Sequence, residues 1–484
     1  MDERTVLERV PTGLLIDGEW RDAADGATFE VLDPATEKVL ATVADAAPTD
    51  GDAALAAAHT AQADWERTPP RERSEVLQAL FEAVIERTEE LALLITLEMG
   101  KSLAESRGEV AYGAEFLRWN AEEAVRAYGR YLPAPGGGGR ILTVKRPVGP
   151  SLLITPWNFP LAMATRKIGP ALAAGCTSVI KPAALAPLTT LRVAQIALDC
   201  GVPPGVLNVV PTSRAGEVMG PLIADPRARK LSFTGSTEVG RSLMAQAADQ
   251  VLRVSMELGG NAPFLVFEDA DLDAAVEGAM AAKMRNIGES CVAANRFIVH
   301  RSVADDFTVE LAERMGALRM GRGTEDGVDV GPLIDHDAVD KVDRLVTDAL
   351  DAGAHVHVGG QRAGGPGCFY PPTVLGRVPT DAAILREEVF GPVAPITVVD
   401  DDEAAVAAAN ATPYGLVAYA YTRDVGRALW LADVVEAGML GINRGKVSEP
   451  AAPFGGIKHS GLGKEGGAEG LEEYLTTRYV ALEG

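Results

Sequence analysis

Two side chains in this sequence have both the type and the setting for covalent chemistry. Cys291 stands in Arg285-Asn-Ile-Gly-Glu-Ser-Cys291-Val-Ala-Ala-Asn-Arg296, and Glu257 stands in Ser255-Met-Glu257-Leu-Gly-Gly-Asn261, directly after an apolar run. A lone thiol and a lone carboxylate, each framed by glycine and small polar residues, suggest a nucleophile and its general base. An unperturbed thiol, with a pKa near ~8.5, is only slightly ionised at neutral pH. Activation must come from a base, a helix N-terminus or the charge of a cofactor. The competing reading of Cys291 is an inert buried thiol.

Other candidates follow apolar runs that read as strands. Asn158, in Thr155-Pro156-Trp157-Asn158-Phe-Pro, carries an amide that can donate to an oxyanion. The same side chain could equally cap a helix beginning near Pro160. Lys181, before a proline, is either a cation reaching a ribose or phosphate or a solvated surface lysine. Phe233-Thr-Gly235-Ser236-Thr-Glu-Val-Gly240 opens a helix with a glycine turn that suits a pyrophosphate. Its glycine spacing is not the common dinucleotide fingerprint, so alone it is weak.

These residues need a scaffold, and its texture changes along the chain. Leu14 to Trp20 and Thr28 to Leu32 are strand-like, an alanine-rich helix follows, and 71–125 reads as long amphipathic helices. The glycines of Ala134-Pro-Gly-Gly-Gly-Gly139 read as a flexible turn, with no strand before them and a strand-like 141–145 after. From 151, short apolar strands alternate with helices: Ser151 to Thr155, Thr177 to Ile180, Val206 to Val210, Lys230 to Phe233, Val251 to Met256 and Ala262 to Phe267. That alternation predicts an α/β fold with a parallel, doubly wound sheet, which binds ligands beyond the carboxyl ends of its strands. Further helices are expected near 271–287, 302–317 and 336–352, and an extended tail over Tyr474 to Leu482.

Composition narrows the function classes. The 484 residues carry 68 acidic and 45 basic side chains, a formal charge of −23. Such a field disfavours nucleic acid and anionic membranes as partners. The charged N-terminus does not read as a signal peptide, and no run approaches a membrane span. Cys176, Cys200, Cys291 and Cys368 are widely spaced, which fits a reducing cytoplasm rather than a disulfide scaffold. Six scattered histidines give no metal-ligand spacing, and His355 and His357 alternate as on an exposed strand face. No metal site is expected.

Taken together and in order, Thr155-Pro-Trp-Asn158-Phe-Pro, Lys181-Pro-Ala, Phe233-Thr-Gly-Ser, Glu257-Leu-Gly-Gly, Cys291 and Glu387-Glu388-Val-Phe390-Gly-Pro resemble the aldehyde dehydrogenase superfamily. Ala162-Met-Ala-Thr-Arg166-Lys, Arg285-Asn and Val447-Ser448 before Pro453-Phe-Gly-Gly most resemble its succinate-semialdehyde branch. The resemblance implies a Rossmann-type cofactor domain (1–126 and 147–256) and an α/β catalytic domain (257–446). It also implies a small β oligomerisation element (127–146 with 447–484), hence a homodimer or homotetramer.

It further implies roles. Cys291 would attack the aldehyde, Asn158 would hold the oxyanion with the Cys291 N–H, and Glu257 would activate the hydrolytic water. Thr155, Pro156, Trp157, Lys181, Ala184, Gly235, Ser236, Leu258, Glu388 and Phe390 would surround NADP or NAD. Arg166, Arg285 and Ser448 would grip the distal carboxylate of the aldehyde. The sequence departs from the pattern at Ala293, where some relatives have a second cysteine, and at Glu289, where glutamine is usual. Ala184 replaces an acidic residue, which removes repulsion of a 2′-phosphate and leaves both cofactors open.

Overall fold

The computed structural model describes residues 2–483. The expected alternation resolves into two large sheets. The first has the strand order Gly461–Leu462, Arg253–Glu257, Lys230–Thr234, Ser151–Ile154, Ser178–Lys181, Leu207–Val209, Leu14–Ile16, Glu19–Arg21. From Arg253–Glu257 through Leu207–Val209 every pairing is parallel. Chain order reverses at Ser151–Ile154, whose two neighbours lead away on opposite sides. Loops leaving a sheet on either side of such a point open a crevice. Here those loops carry Thr155–Asn158 and Gly235–Ser236.

Ala262–Val266 does not extend that sheet. It joins a second one, ordered His355–Val358, Thr373–Gly376, Val393–Val399, Ala294–His300, Ala262–Val266, Val417–Tyr421, Met439–Ile442. The turn 258–261 therefore passes from one sheet to the other; Glu257 ends a strand of the first, and Cys291 lies in the loop that leads into Ala294–His300 of the second. A third sheet pairs Leu475–Leu482 with Arg140–Pro147 and the latter with Arg130–Pro133.

Several sequence expectations need correction. Arg130–Pro133 is a strand before the glycine run, so those glycines turn a hairpin, with Gly137 and Gly138 at positive φ. The strand expected from Val251 begins at Arg253, because Val251 sits in the left-handed region at φ 51°. The stretch 71–125 is three helices, Pro70–Glu86, Thr88–Met99 and Leu103–Glu123. Thr88–Met99 is buried from Glu90 to Met99 on every face, so it is a core helix rather than an amphipathic one. The helix expected over 271–287 stops at Met284. Asn286 and Ile287 then take φ of 57° and 61°, and Gly288 takes 79°. That left-handed turn swings the chain under the cleft and delivers Cys291.

Candidate active site

A cavity of about 370 Å³ opens at the crevice between the sheets. Pro156, Trp157, Asn158, Gly235, Ser236, Leu258, Glu388, Phe390, Glu257, Cys291, Arg166, Arg285 and Ser448 all line it. Residues scattered over nearly three hundred positions are thus brought to one space. Thr155, Lys181 and Ala184 are not in the cavity wall. Thr155 donates its N–H to the Lys181 carbonyl at 3.2 Å, beneath the cleft. Lys181 is not a solvated surface lysine: it is buried, and burial pulls its ammonium down to about 8.

The Cys291 loop is held tightly. A Cβ at Gly260 would lie 2.5 Å from the Cys291 carbonyl oxygen, and one at Gly288 would lie 2.2 Å from that of Gly391. Left-handed backbone at a β-branched residue such as Ile287 costs about 1–3 kcal/mol. The turn persists because Asn286 is fixed at both ends. Its Nδ2 donates to the carbonyls of Asn158 (3.0 Å) and Glu289 (2.8 Å), and its N–H donates to Glu105.

Asn158 does not cap the helix Pro160–Ala174. The N–H groups of Leu161 and Ala162 go instead to Glu109 Oε1, at 2.9 and 3.2 Å. One hydrogen of the Asn158 amide goes to the Glu289 carbonyl at 3.0 Å, and an amide nitrogen has a second to offer. The Cys291 N–H is engaged by no acceptor among the described residues. The second hydrogen of the Asn158 amide and the Cys291 N–H are therefore free donors from two residues of the same cavity wall.

Beneath Asn158 lies a buried ion pair that the sequence did not announce. Lys101 Nζ donates to Glu109 Oε2 at 2.5 Å and to the Asn158 carbonyl at 2.8 Å, and sits 4.1 Å above the Phe159 ring. The only sequence signal is Gly100-Lys101-Ser102 between two helices, a cation where an ordinary connector would be polar. Glu289 is also buried. Its Oε1 accepts from the Ile334 N–H at 3.1 Å, and burial pushes its carboxyl well above the usual range.

Glu257 ends its strand opposite Thr234 on one side and Gly461 on the other. Its Oε2 is buried and has no hydrogen-bond partner among the described residues. Burial and the neighbouring Glu465 push its carboxyl well above the ordinary value, against the pull of Arg166, Lys167 and Lys464. Burial likewise pushes the Cys291 thiol up to about 12, partly offset by Arg166. Both groups therefore hold their protons more tightly than they would in water.

The two arginines sit in different surroundings. Arg166 is 1% exposed, lies 2.5 Å from Glu465 Oε2, and covers the Phe454 ring at 4.3 Å. Burial alone would weaken its charge, but the Glu465 carboxylate outweighs that and raises its pKa. Lys167 Nζ donates to the same carboxylate at 2.5 Å. Arg285 lies between the rings of Tyr112 and Phe159, 5.2 Å from each, and makes one long hydrogen bond, 3.4 Å, to Ser448 Oγ.

The cofactor side of the cavity has matching features. Glu388 Oε1 accepts from the Gly260 N–H at 3.0 Å, and burial lifts its carboxyl to about 7. Trp157 and Phe390 meet edge-to-face at 5.5 Å, the latter at a φ of 53°. Ser236 caps the helix Thr237–Ala248 through the Val239 N–H. Thr234 Oγ1, at the same strand end, is buried without a partner among the described residues. Among those residues no cluster of His, Cys, Asp or Glu could hold a metal ion, and no helix is long and apolar enough to cross a membrane.

A doubly wound sheet whose switch-point crevice meets a half-buried thiol suits covalent thiol chemistry beside a bound dinucleotide. The sequence matches the aldehyde dehydrogenase family over residues 20–480, and the chain belongs to that family. It is 60% identical over 444 residues to succinate-semialdehyde dehydrogenase of Paenarthrobacter nicotinovorans, covering 92% of this chain and 99% of that protein. It is 48% identical over 468 residues to the NADP(+) succinate-semialdehyde dehydrogenase GabD of Escherichia coli K12, covering 97% of each. The crystal structure of succinate-semialdehyde dehydrogenase from Burkholderia pseudomallei superposes with a TM-score of 0.97, at 48% identity over 99% of both chains.

Proposed function

We propose that the protein oxidises succinate semialdehyde to succinate with NADP or NAD as acceptor. The observation that carries this reading is the position of Arg285 and Ser448. They form a cation and a hydroxyl in the wall of the cavity that Cys291 also lines, with no carboxylate within ion-pair distance of Arg285 among the described residues. A guanidinium donates two parallel hydrogen bonds to a carboxylate. In a chain of charge −23 an arginine without a direct ion pair also draws an anion locally.

The chain's residues divide the work as follows. Cys291 Sγ, once deprotonated, bonds to the aldehyde carbon, and the second Asn158 amide hydrogen and the Cys291 N–H receive the oxyanion. When bound, the dinucleotide supplies the hydride acceptor. Sulfur remains bonded to the oxidised carbon as a thioester. Glu257, with one unpartnered oxygen, takes a proton from the water that cleaves it. Burial keeps that carboxyl's proton affinity high enough for the task.

The crevice fits the cofactor. Glu388 offers a carboxylate for ribose hydroxyls, Thr234 Oγ1 an unused hydroxyl, and the capped helix start a site for pyrophosphate. Ala184 presents no carboxylate against a 2′-phosphate. Thr155 and Lys181 support the strand ends beneath.

The first sheet and its helices serve as the cofactor domain, 1–126 and 147–256, and the second as the catalytic domain, 257–446. Leu475–Leu482 is an edge strand with mostly exposed side chains. With 127–146 it offers an edge for pairing between subunits, supporting a homodimer or homotetramer. Four unpaired cysteines suit the reducing cytoplasm.

A panel of aldehydes against both cofactors, followed at 340 nm, tests the function. Succinate semialdehyde is expected to give a kcat/KM at least about tenfold above propanal, from the ion pair and hydrogen bonds to its carboxylate. A glutarate semialdehyde optimum would shift the assignment by one methylene. Equal rates for propanal would overturn the carboxylate reading, and steady ester hydrolysis without any absorbance growth would make the protein a thiol esterase.

A further inference from the structure

The two donors of the oxyanion site come from separate segments of the chain. Asn158 lies in the loop after Ser151–Ile154, and the Cys291 N–H in the loop before Ala294–His300. One buried side chain joins those loops. The Nδ2 of Asn286 bridges the carbonyl of Asn158, at 3.0 Å, and that of Glu289, at 2.8 Å. The Asn158 amide donates to the same Glu289 carbonyl at 3.0 Å. Asn158 is thereby tied to the thiol loop through both its backbone and its side chain, two residues before Cys291. An amide nitrogen carries two hydrogens, so the bridge uses the whole donor capacity of Asn286. Its carbonyl receives the Glu289 N–H at 2.8 Å, which closes the turn. The arrangement is strained: Asn286 stands at φ 57°, and its Oδ1 is buried without a partner among the described residues. Strain that persists in a packed structure gathers where placement matters for function.

We propose that Asn286 is the positioning residue of the oxyanion site: its bridging amide sets the distance and angle between the free Asn158 amide hydrogen and the Cys291 N–H. This rests on the reading of those two groups as the oxyanion donors. Asn286 acts through them and through no contact of its own with aldehyde or cofactor. A donor serves an oxyanion only within a narrow window of distance and direction, because the charge it meets develops in the transition state. Without the bridge, a single hydrogen bond joins Asn158 to Glu289, and it comes from the amide that must stay aimed. Lys101 also donates to the Asn158 carbonyl, at 2.8 Å, but makes no hydrogen bond to the thiol loop among the described residues. It holds one donor and not the pair.

The test is a double-mutant cycle on the full chain with its cofactor, using Asn158→Ala, Asn286→Gly and the pair, with succinate semialdehyde and propanal as substrates. Glycine accepts left-handed backbone, so Asn286→Gly removes the bridge and leaves the turn. Asn158→Ala is expected to lower kcat by about 100-fold or more on both aldehydes, the effect of losing one oxyanion donor. Asn286→Gly is expected to lower kcat by about 10–100-fold on both alike, the range for a misplaced catalytic group, with KM for succinate semialdehyde held within about twofold. In the Asn158→Ala background the same change is expected to cost about threefold or less, since the donor it aims is gone. If the glycine variant does not fold, Asn286→Asp, which keeps the side chain's size and tolerates the same backbone, carries the comparison.

Losses that multiply in the double variant would show that Asn286 acts independently of Asn158, overturning this inference and leaving the proposed function standing. A rise in KM for succinate semialdehyde with propanal unaffected would do the same, by making Asn286 a support for its neighbour Arg285. So would an undiminished kcat in Asn286→Gly. An undiminished kcat in Asn158→Ala would strike the oxyanion reading itself, and the role of Asn286 would fall with it.

Discussion

Two groups of side chains in the cavity wall hold charge in opposite ways. Around Cys291 and Glu257 the charges balance within the protein: Arg166 and Lys167 share Glu465, all three buried, and burial shifts both the thiol and the Glu257 carboxyl upward. Arg285, by contrast, is half-buried against two rings, with a single long hydrogen bond and no carboxylate within ion-pair distance among the described residues. A balanced site can keep ionisable groups dry and still be stable. An unbalanced one stays dependent on an incoming anion. The first arrangement suits reaction and the second suits recognition, and each can be disturbed without the other.

The largest effect is expected in the balanced group. Cys291→Ala should lower aldehyde oxidation by about 10⁴-fold or more for every substrate alike, because no covalent step remains. Steady-state assays with succinate semialdehyde and propanal measure it, and oxidative turnover kept with either aldehyde would break the assignment of Cys291. Arg166→Met tests the balance itself. It leaves Glu465 buried with Lys167 as its only cationic contact, and breaking a buried pair typically costs about 3 kcal/mol or more. Urea unfolding should show that loss, together with reduced activity on charged and uncharged aldehydes. A normal unfolding midpoint with activity lost only on the acid would move Arg166 to the recognition group.

That division was only half legible in the sequence. The motif order, the strands that carry it and the carboxyl-end placement of Asn158, Gly235 and Glu257 follow from local pattern, because each motif sits directly after an apolar strand. Arg166 and Arg285 read as equivalent for lack of one fact. Glu465 lies in the C-terminal loops and folds back against Arg166, a pairing between distant positions that no local pattern encodes. The Lys101–Glu109 pair under Asn158 was hidden for the same reason, and Thr88–Met99 appeared amphipathic because Glu90 and Glu98 are buried yet satisfied. Glu90 pairs with Arg9 and Arg192, and Glu98 accepts the N–H groups of Leu188 and Thr189. The left-handed turn at Asn286 and Ile287 was illegible too, since neither residue type asks for it.

A smaller and more selective effect is expected in the unbalanced group. Arg285→Met should raise KM for succinate semialdehyde by about 10–100-fold, the range for a hydrogen-bonded charge, and leave propanal nearly unchanged. The folded protein should lose less stability than with Arg166→Met, since Arg285 makes no direct ion pair among the described residues and only acts at longer range on Glu105. Paired kinetics on the two aldehydes check this. An equal rise for both would mean that Arg285 shapes the cavity instead of reading the anion.

The smallest expected effect separates two roles for Glu257. Burial is the main reason the Cys291 thiol sits near 12, but the Glu388 and Glu257 carboxylates add repulsion. Well below that value the thiolate fraction rises about tenfold per pH unit, so alkylation by iodoacetamide should climb steadily between pH 7 and 10. In Glu257→Gln the repulsion from one carboxylate is gone. The thiol pKa then falls, and alkylation at pH 9 should be faster by about threefold, since 0.5 pKa unit is worth roughly 0.7 kcal/mol. The sign depends on what Glu257 does. A carboxylate that only repels the thiolate, and reserves its basicity for water, gives acceleration on removal. One that accepts the thiol proton gives slower alkylation, and that outcome would transfer part of the activation of Cys291 to Glu257.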